Sequence, residues 1–376
     1  MKKVYKYLVN ICILVSAAEA NATDISPLGS TARSLAMGGT YMSFVKGADS
    51  VYYNPAMLAR VNGFDFVLAQ VNGAYSKDAE RLISQAMKSG SSLSASDING
   101  LYGLNSFADI TIRSSFVMPY FGLGVYSSNY ILESFNNPPF PTFNANFISD
   151  YGYVVAGAIA LGPTTSFGFA GRHVVRWGGS SDILVTDLLG SNDQAVLQNS
   201  FKDKGIGEAM DLGFVTTIPN GDLSPTISAT WQDVGRTTFS QTAGSSSPPS
   251  QADNLTLGVS LEQNAFLIHW THALEYKYIT RPNENITKKI HVGTEASFGL
   301  FDIRGGFGQG YLSYGGGIDI WLFRADVAYY TAELGSMAGQ MRNDRVIYSL
   351  TFEFDFDQSF QMKDTEGKKR RLKQRR

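Results

Sequence analysis

Arg345 to Phe356, RVIYSLTFEFDF, is the stretch that decides the fold. Successive side chains of an extended chain point to opposite faces, so Val346, Tyr348, Leu350, Phe352, Phe354 and Phe356 share one side, and Ile347, Ser349, Thr351, Glu353 and Asp355 share the other. One face is wholly apolar and the other mostly polar, which is the pattern of a sheet with one greasy and one wet side. The same alternation runs back through Phe323, Ala325, Val327 and Tyr329 against Arg324 and Asp326. It returns in Ile290, Val292, Ala296 and Phe298 against His291 and Glu295, and in Leu255, Leu257, Val259 and Leu261 against Thr256, Gly258 and Ser260.

A soluble β-sandwich alternates as well, and loop lengths separate the two. Strands of ~9 to 14 residues, a length that suits tilted membrane strands, are expected to start near Phe64, Phe107, Phe121, Asn146, Ser166, Glu208, Pro225, Asn254, Phe266, Lys289, Phe301, Leu312, Phe323 and Arg345. Long connections are expected over Ser76 to Ser106, Phe135 to Ala145, Gly178 to Gly207, Thr238 to Asp253, Ile279 to Lys288 and Glu333 to Asp344. Short ones fall between them, at Pro119-Tyr120, Gly162 to Thr164, Pro219 to Ser224, Gln263 to Ala265, Gly299-Leu300 and Leu322. One connection departs from the pattern: Gly308 to Gly310 belongs on the long side and is short. Outer-membrane barrels have short periplasmic turns and long outer loops, whereas a sandwich has no reason to sort its loops. The expectation is an all-β chain, a transmembrane antiparallel β-barrel of about 14 strands with an N-terminal plug, in a Gram-negative outer membrane with both termini periplasmic.

The flanks agree with export. Lys2, Lys3 and Lys6 precede the apolar run Leu8 to Ala18 and the small-residue sites at Ala18, Ala20 and Ala22, so residues 1–22 read as a secretory signal. The single cysteine, Cys12, lies in that segment, which leaves the expected mature chain without a disulfide, a thiolate nucleophile or a cysteine metal site. Residues 358–376 form a basic tail, expected to be disordered in the periplasm, which contains Lys368, Lys369, Arg370 and Arg371. The formal charge of -2 therefore conceals an acidic body between two basic ends, which argues against a nucleic-acid partner. Gly 38, Tyr 19 and Phe 24 suit many strands, turns and aromatic girdles, and beyond the signal there is no apolar run long enough for a membrane helix.

Residues 23–62 read as a compact plug ahead of the barrel at 63–357. Within it, Gly29 to Leu58 is GSTARSLAMGGTYMSFVKGADSVYYNPAML. Asn54 is placed to cap a short helix from Pro55 to about Ala59, since its side chain can accept from free amides and Pro at the first helical position has no donor to leave unpaired. Gly38-Gly39 ends the segment from Ser30 to Met37, glycine taking the positive φ that closes a helix. Among the long loops, Lys77 to Lys88 reads as an amphipathic helix and Ser96 to Leu104 as a further turn or two. Another amphipathic piece is expected between Asp182 and Gly205, with Ile183, Leu184, Leu188 and Leu189 near Val196, and Gln241 to Gln251, QTAGSSSPPSQ, reads as a mobile tip.

The plug sequence resembles the N-terminal signature of the FadL-type outer-membrane transport superfamily, including its PorV/PorQ-like branch. The matching residues are small-Ala32-Arg33-x-Leu35-Ala36-Met37-Gly38-Gly39 and then Ala48-Asp49-Ser50-Val51-Tyr52-Tyr53-Asn54-Pro55-Ala56. Trp231 to Gly235, His291 to Glu295, Arg304 to Tyr311 and Asp326 to Tyr330 resemble the same branch. The resemblance implies a fourteen-stranded barrel closed by an N-terminal hatch. Its transporter members pass hydrophobic molecules such as long-chain fatty acids, and its PorV-like members serve protein secretion and surface attachment. Met57 stands where glycine is common, and the chain runs on past Phe356, two departures from the pattern.

The site expected from these readings is the hatch, with Arg33, Met37, Gly38, Gly39, Tyr52, Tyr53, Asn54 and Pro55 as its ligand-facing or seating residues. Facing it are lumenal Arg172, Arg176, Glu295, Arg304, Asp319, Arg324, Asp326 and Glu353, mostly as ion pairs across the ladder. Arg33 and the lumenal arginines are candidates to orient a ligand carboxylate, because a guanidinium forks onto one. His173, His269, His272 and His291 are the only imidazoles, and no nucleophile elbow, zinc motif or phosphate loop accompanies them, so no catalytic residue, metal or cofactor is expected. The expected partners are outer-membrane lipid and a hydrophobic small molecule. The second reading is a PorV-like scaffold with a secreted protein partner, and a water-filled porin is the third.

Overall fold

The computed structural model describes residues 30–89, 100, 102–136, 142–184, 199–221 and 223–356. Its strands are β1 Phe64–Ser76, β2 Asn105–Met118, β3 Phe121–Asn136, β4 Thr142–Ala160, β5 Thr165–Leu184, β6 Lys204–Thr217 and β7 Thr226–Gln232. They continue as β8 Ser240–Ala243, β9 Asn254–Ala265, β10 Ile268–Tyr276, β11 Ile290–Phe298, β12 Phe301–Gly308, β13 Tyr311–Ile320, β14 Phe323–Glu333 and β15 Arg342–Phe356. Each long strand pairs antiparallel with its neighbours, β5 pairs with β6, and β1 closes on β15 from Phe64 opposite Phe356 to Ser76 opposite Arg345. The result is a closed barrel of 14 strands, with β8 as one extra strand on β6. Closure leaves no open sheet edge, the condition for a sheet to stand in lipid.

The wall is inside out relative to a soluble protein. Asn72, Thr111, Arg113, Arg172, Glu275, Glu295 and Arg304 point inward and are buried at 2% exposure or less, while Ile112, Val125, Phe169, Leu257, Ile303 and Leu350 point outward at 46%, 55%, 52%, 49%, 61% and 62%. Period two assigns the faces, and the closed sheet turns every polar face toward the lumen. An apolar belt of this size around the whole circumference is stable only against hydrocarbon. Among the described residues no helix is long and apolar enough to cross a membrane.

The expected strand starts agree with the structure within about four residues, and the loops sort to two ends as the sequence pattern requires. Strand length differs, spanning 7 residues in β7 to 20 in β5 among the 14 wall strands. Two of the expected long loops, Phe135 to Ala145 and Gly178 to Gly207, are partly strand, because β3, β4 and β5 keep pairing beyond the apolar belt. Ile183 and Leu184 accordingly end β5 rather than start a helix, and Leu188, Leu189 and Val196 lie outside the described residues. The amphipathic helix is observed as Lys77–Ser89, whereas most of Ser96 to Leu104 falls outside the described residues. Gln241 to Gln251 is not a loose tip: it contains most of β8 and folds back onto Thr237 through a two-way backbone bridge at Gln251. The short turn at Gln309-Gly310 leaves the rim low at β12 and β13.

Candidate functional site

Residues 30 to 62 lie inside the barrel, and local chemistry sets their path. Thr31 caps the helix Ala32–Ala36, its hydroxyl accepting from Ser34 N at 3.1 Å while the Ser34 hydroxyl accepts from Thr31 N at 3.3 Å. Gly38 and Gly39 follow at φ +69° and +89°. Gly38 is needed for space as well as angle, since a Cβ there would stand 2.6 Å from the carbonyl oxygens of Val292 and Phe307 in the wall. A 3₁₀ turn, Gly47–Asp49, and one helical turn, Ser50–Tyr53, lead to Asn54. Asn54 is fully buried and does cap, Oδ1 accepting from Ala56 N at 3.1 Å while Nδ2 donates to Met42 O at 2.9 Å. The helix it starts is a 3₁₀ helix, Pro55–Arg60, one residue longer than expected.

The wall takes up the segment's backbone polar groups around the lumen. Glu275 on β10 accepts from Tyr41 N and Met42 N at 2.8 and 2.6 Å. Ser313 on β13 accepts from Gly38 N at 2.9 Å and donates to Ala36 O at 3.0 Å. Ser349 on β15 accepts from Ala32 N at 2.9 Å, and Ser166 on β5 donates to Ala56 O at 2.8 Å. His291 Nδ1 meets Gly38 O at 2.6 Å, and Lys277 donates to Gly39 O.

Buried ion pairs hold the same arrangement. Arg33 forks onto Glu295 at 2.9 and 2.6 Å, and Glu295 also accepts from Arg304 at 2.5 Å. Arg304 reaches Asp302 and Asp326, both at 2.7 Å, and Arg324 reaches Asp326 at 2.9 Å. On the opposite wall Arg172 pairs with Asp211 and Asp233, each at 2.8 Å. Arg176 pairs with Asp150 at 2.6 Å and donates to Pro249 O at 2.8 Å, with Phe239 stacked at 4.5 Å, so this lumenal arginine pins the loop between β7 and β9 from inside. Asp319 is buried at 2% on β13, and Glu353 lines the lumen half-buried on β15. The sequence reading does not single out Arg113 on β2 or Glu275 on β10, although both occupy wet-face positions of alternating strands.

Two cavities flank the segment. The larger, about 130 Å³, opens toward the long-loop end and is lined by Leu35, Met42, Phe107, Tyr330 and Ile347 together with Asp109, Lys277 and Arg345. The smaller, about 60 Å³, lies toward the short-turn end and is lined by Arg33, Lys46, Asp49, Asp65, Gln70, Arg324 and Glu353. Of the expected hatch residues, Gly38, Gly39 and Tyr53 face the larger cavity and Arg33 the smaller, while Tyr52, Asn54 and Pro55 are packed against the wall. Tyr52 donates its hydroxyl to Ser114 O at 2.8 Å. The described residues contain no group of three or more metal-ligating side chains.

No family model and no curated protein matches the chain. Among solved structures it is similar to the CymD monoaromatic hydrocarbon channel, at 11% identity over 89% of this chain and 99% of that one with a TM-score of 0.49. It is similar also to the Ralstonia pickettii toluene transporter TbuX, at 14% identity over 88% and 99% with a TM-score of 0.46. A Pseudomonas aeruginosa FadL homologue matches at 13% identity over 88% and 99% with a TM-score of 0.40. At these identities and scores the function has to be argued from the barrel's own geometry.

Proposed function

We propose that the protein is an outer-membrane barrel for passive uptake of hydrophobic small molecules, long-chain fatty acids among them, with residues 23–62 as its hatch. The carrying observation is the pair of cavities on either side of a segment that fills the lumen, the outer one walled by Leu35, Met42, Phe107, Tyr330 and Ile347. A molecule would leave the loop surface, lodge in the outer cavity and pass when the hatch shifts. The loop lengths support long loops outward, with both chain ends in the periplasm. In this role Arg33, Met37, Gly38, Gly39, Tyr52, Tyr53, Asn54 and Pro55 seat the hatch, and the lumenal charges hold it. Deleting the gene and following uptake of labelled fatty acids, alkanes and monoaromatics is the test: uptake of at least one class should drop, and unchanged uptake across the panel sinks the proposal.

A PorV-like scaffold is the second reading. It is favoured by the height of β3, β4 and β5, of 16, 19 and 20 residues, whose outward side turns polar at Ser127, Asn129 and Ser149 and offers a platform above the lipid. Crosslinking in intact membranes separates the two, because a scaffold should recover a stoichiometric protein partner.

A further inference from the structure

The hatch is held unequally on its two sides. Against β11 to β13 it packs backbone on backbone: a Cβ on Gly306 would collide with Gly38 N and Met37 C, and Ser313 satisfies both Gly38 N and Ala36 O. Against β1, β2 and β15 the contact runs through side chains one layer deep: Ala48 N donates to Asp65 on β1 at 2.8 Å, the Tyr52 hydroxyl to Ser114 O on β2 at 2.8 Å and Ala32 N to Ser349 on β15 at 2.9 Å. Ala74 on β1 and Ile347 on β15 line the outer cavity, while Gln70 and Thr351 on the same strands line the inner one. Only one inward residue per strand stands between, Asn72 on β1 and Ser349 on β15, so the cavities are separated along β1 by roughly 13 Å of strand at ~3.3 Å per residue.

That layer is also where hydrogen bonding is incomplete. Arg113 on β2, opposite Gln70 and one inward position along from Thr111, which faces Asn72, is 1% exposed, and its Nε, Nη1 and Nη2 make no hydrogen bond of normal geometry among the described residues. Its guanidinium rests instead on the rings of Tyr52 and Tyr53, 5.2 and 5.7 Å from their centres. Asn72 Nδ2 likewise has no partner among the described residues, while its Oδ1 accepts from Ser349 at 2.6 Å. Buried donors are normally satisfied, so donors left open between two cavities mark the place where an acceptor, water or the head of a passing molecule, is to be received. A contact with two tyrosine faces is also non-directional and is broken without stranding a carboxylate, unlike the Arg33–Glu295–Arg304 network on the other side.

Resting on the uptake reading above, we propose that the route through the hatch crosses at the Asn72–Ser349 layer with Arg113 as its gate, the segment swinging from the β1–β2–β15 wall while it stays seated on β11 to β13. The only cysteine of the chain, Cys12, lies in the expected signal, so introduced pairs can be read cleanly. In the full-length protein, Ala32→Cys with Ser349→Cys should lock the crossing and lower labelled uptake at least tenfold, with recovery on reduction. For Ala36→Cys with Ser313→Cys, on the seated side, uptake by the oxidised protein should stay within twofold of uptake by the same variant after reduction. Equal block by both pairs, block by the second alone, or no effect of either overturns the proposal. A substrate-free readout keeps it apart from the uptake reading: a small charged thiol reagent should label Asn72→Cys at least tenfold faster when Arg113→Met is added. An unchanged labelling rate in a variant with parental circular dichroism overturns the gate even if uptake is confirmed, and faster labelling supports it even if no tested solute is transported.

Discussion

Arg304 holds three carboxylates, those of Glu295, Asp302 and Asp326, at 2.5 to 2.7 Å with its side chain fully buried. Removing one member of a buried ionic cluster leaves uncompensated charge, so Arg304→Met should lower unfolding stability by about 3–5 kcal/mol. Denaturant unfolding in detergent reads the loss, and Arg33→Met should lose less because Glu295 keeps Arg304. Asn54 is the second sensitive position. Asn54→Ala removes a cap and strands the buried Met42 carbonyl, for about 1–3 kcal/mol by the same measurement, while Pro55→Ala should cost well under 1 kcal/mol. Much of this was legible: alternation places Glu295, Arg304 and Asp326 on the inner face, and Asn-Pro announces a helix start. Period two gives a face and not a register, however, so the pairing of Glu295 with Arg304 and the reach of Arg304 to β14 depend on neighbours that no local pattern names. Arg113 was hidden for a related reason, since a missing partner is a fact of three dimensions.

At the scale of elements, the connection from Thr237 to Gln251 shows composition being overruled. Ser, Gly and Pro permit disorder, yet three distant contacts fix this strap: Arg176 from the lumen, β6 along β8, and Asp203, which accepts from Ser245 N at 2.6 Å, Ser246 N at 3.1 Å and the Ser246 hydroxyl. The Ser246 hydroxyl and these two amides hold the Asp203 carboxyl below its ordinary value. A carboxyl depressed in the folded state adds order that is complete above the unfolded value of about 3.9 and fades as pH falls through the lower folded value. Amide exchange at Ser245 and Ser246 should therefore be protected equally at pH 7 and 5 and lose protection only below about pH 4. Asp203→Ala should remove that protection at every pH.

For the whole molecule, the alternation of long and short connections carried the architecture, because a barrel sorts its loops and a sandwich does not. The position of residues 30 to 62 was less legible: the segment is too short to bury a core of its own, and its order comes from hydrogen bonds to β5, β10, β13 and β15. Deleting residues 23–60 should leave a barrel that inserts, since every wall pairing is retained, but conducts ions steadily in planar bilayers; failure of the deletion to insert would make the segment part of the barrel's core. The low rim at β12 and β13 has its own consequence in the proposed orientation. Eight residues in β12 against 20 in β5, at ~2.5 Å of height per tilted residue, cut the outer edge on a slant of roughly 30 Å. In that orientation a large particle approaching the cell would meet the tall parapet of β3 to β5 first, while the sill at Gln309 would lie closest to the lipid, so the two sides of one crown would face different neighbourhoods.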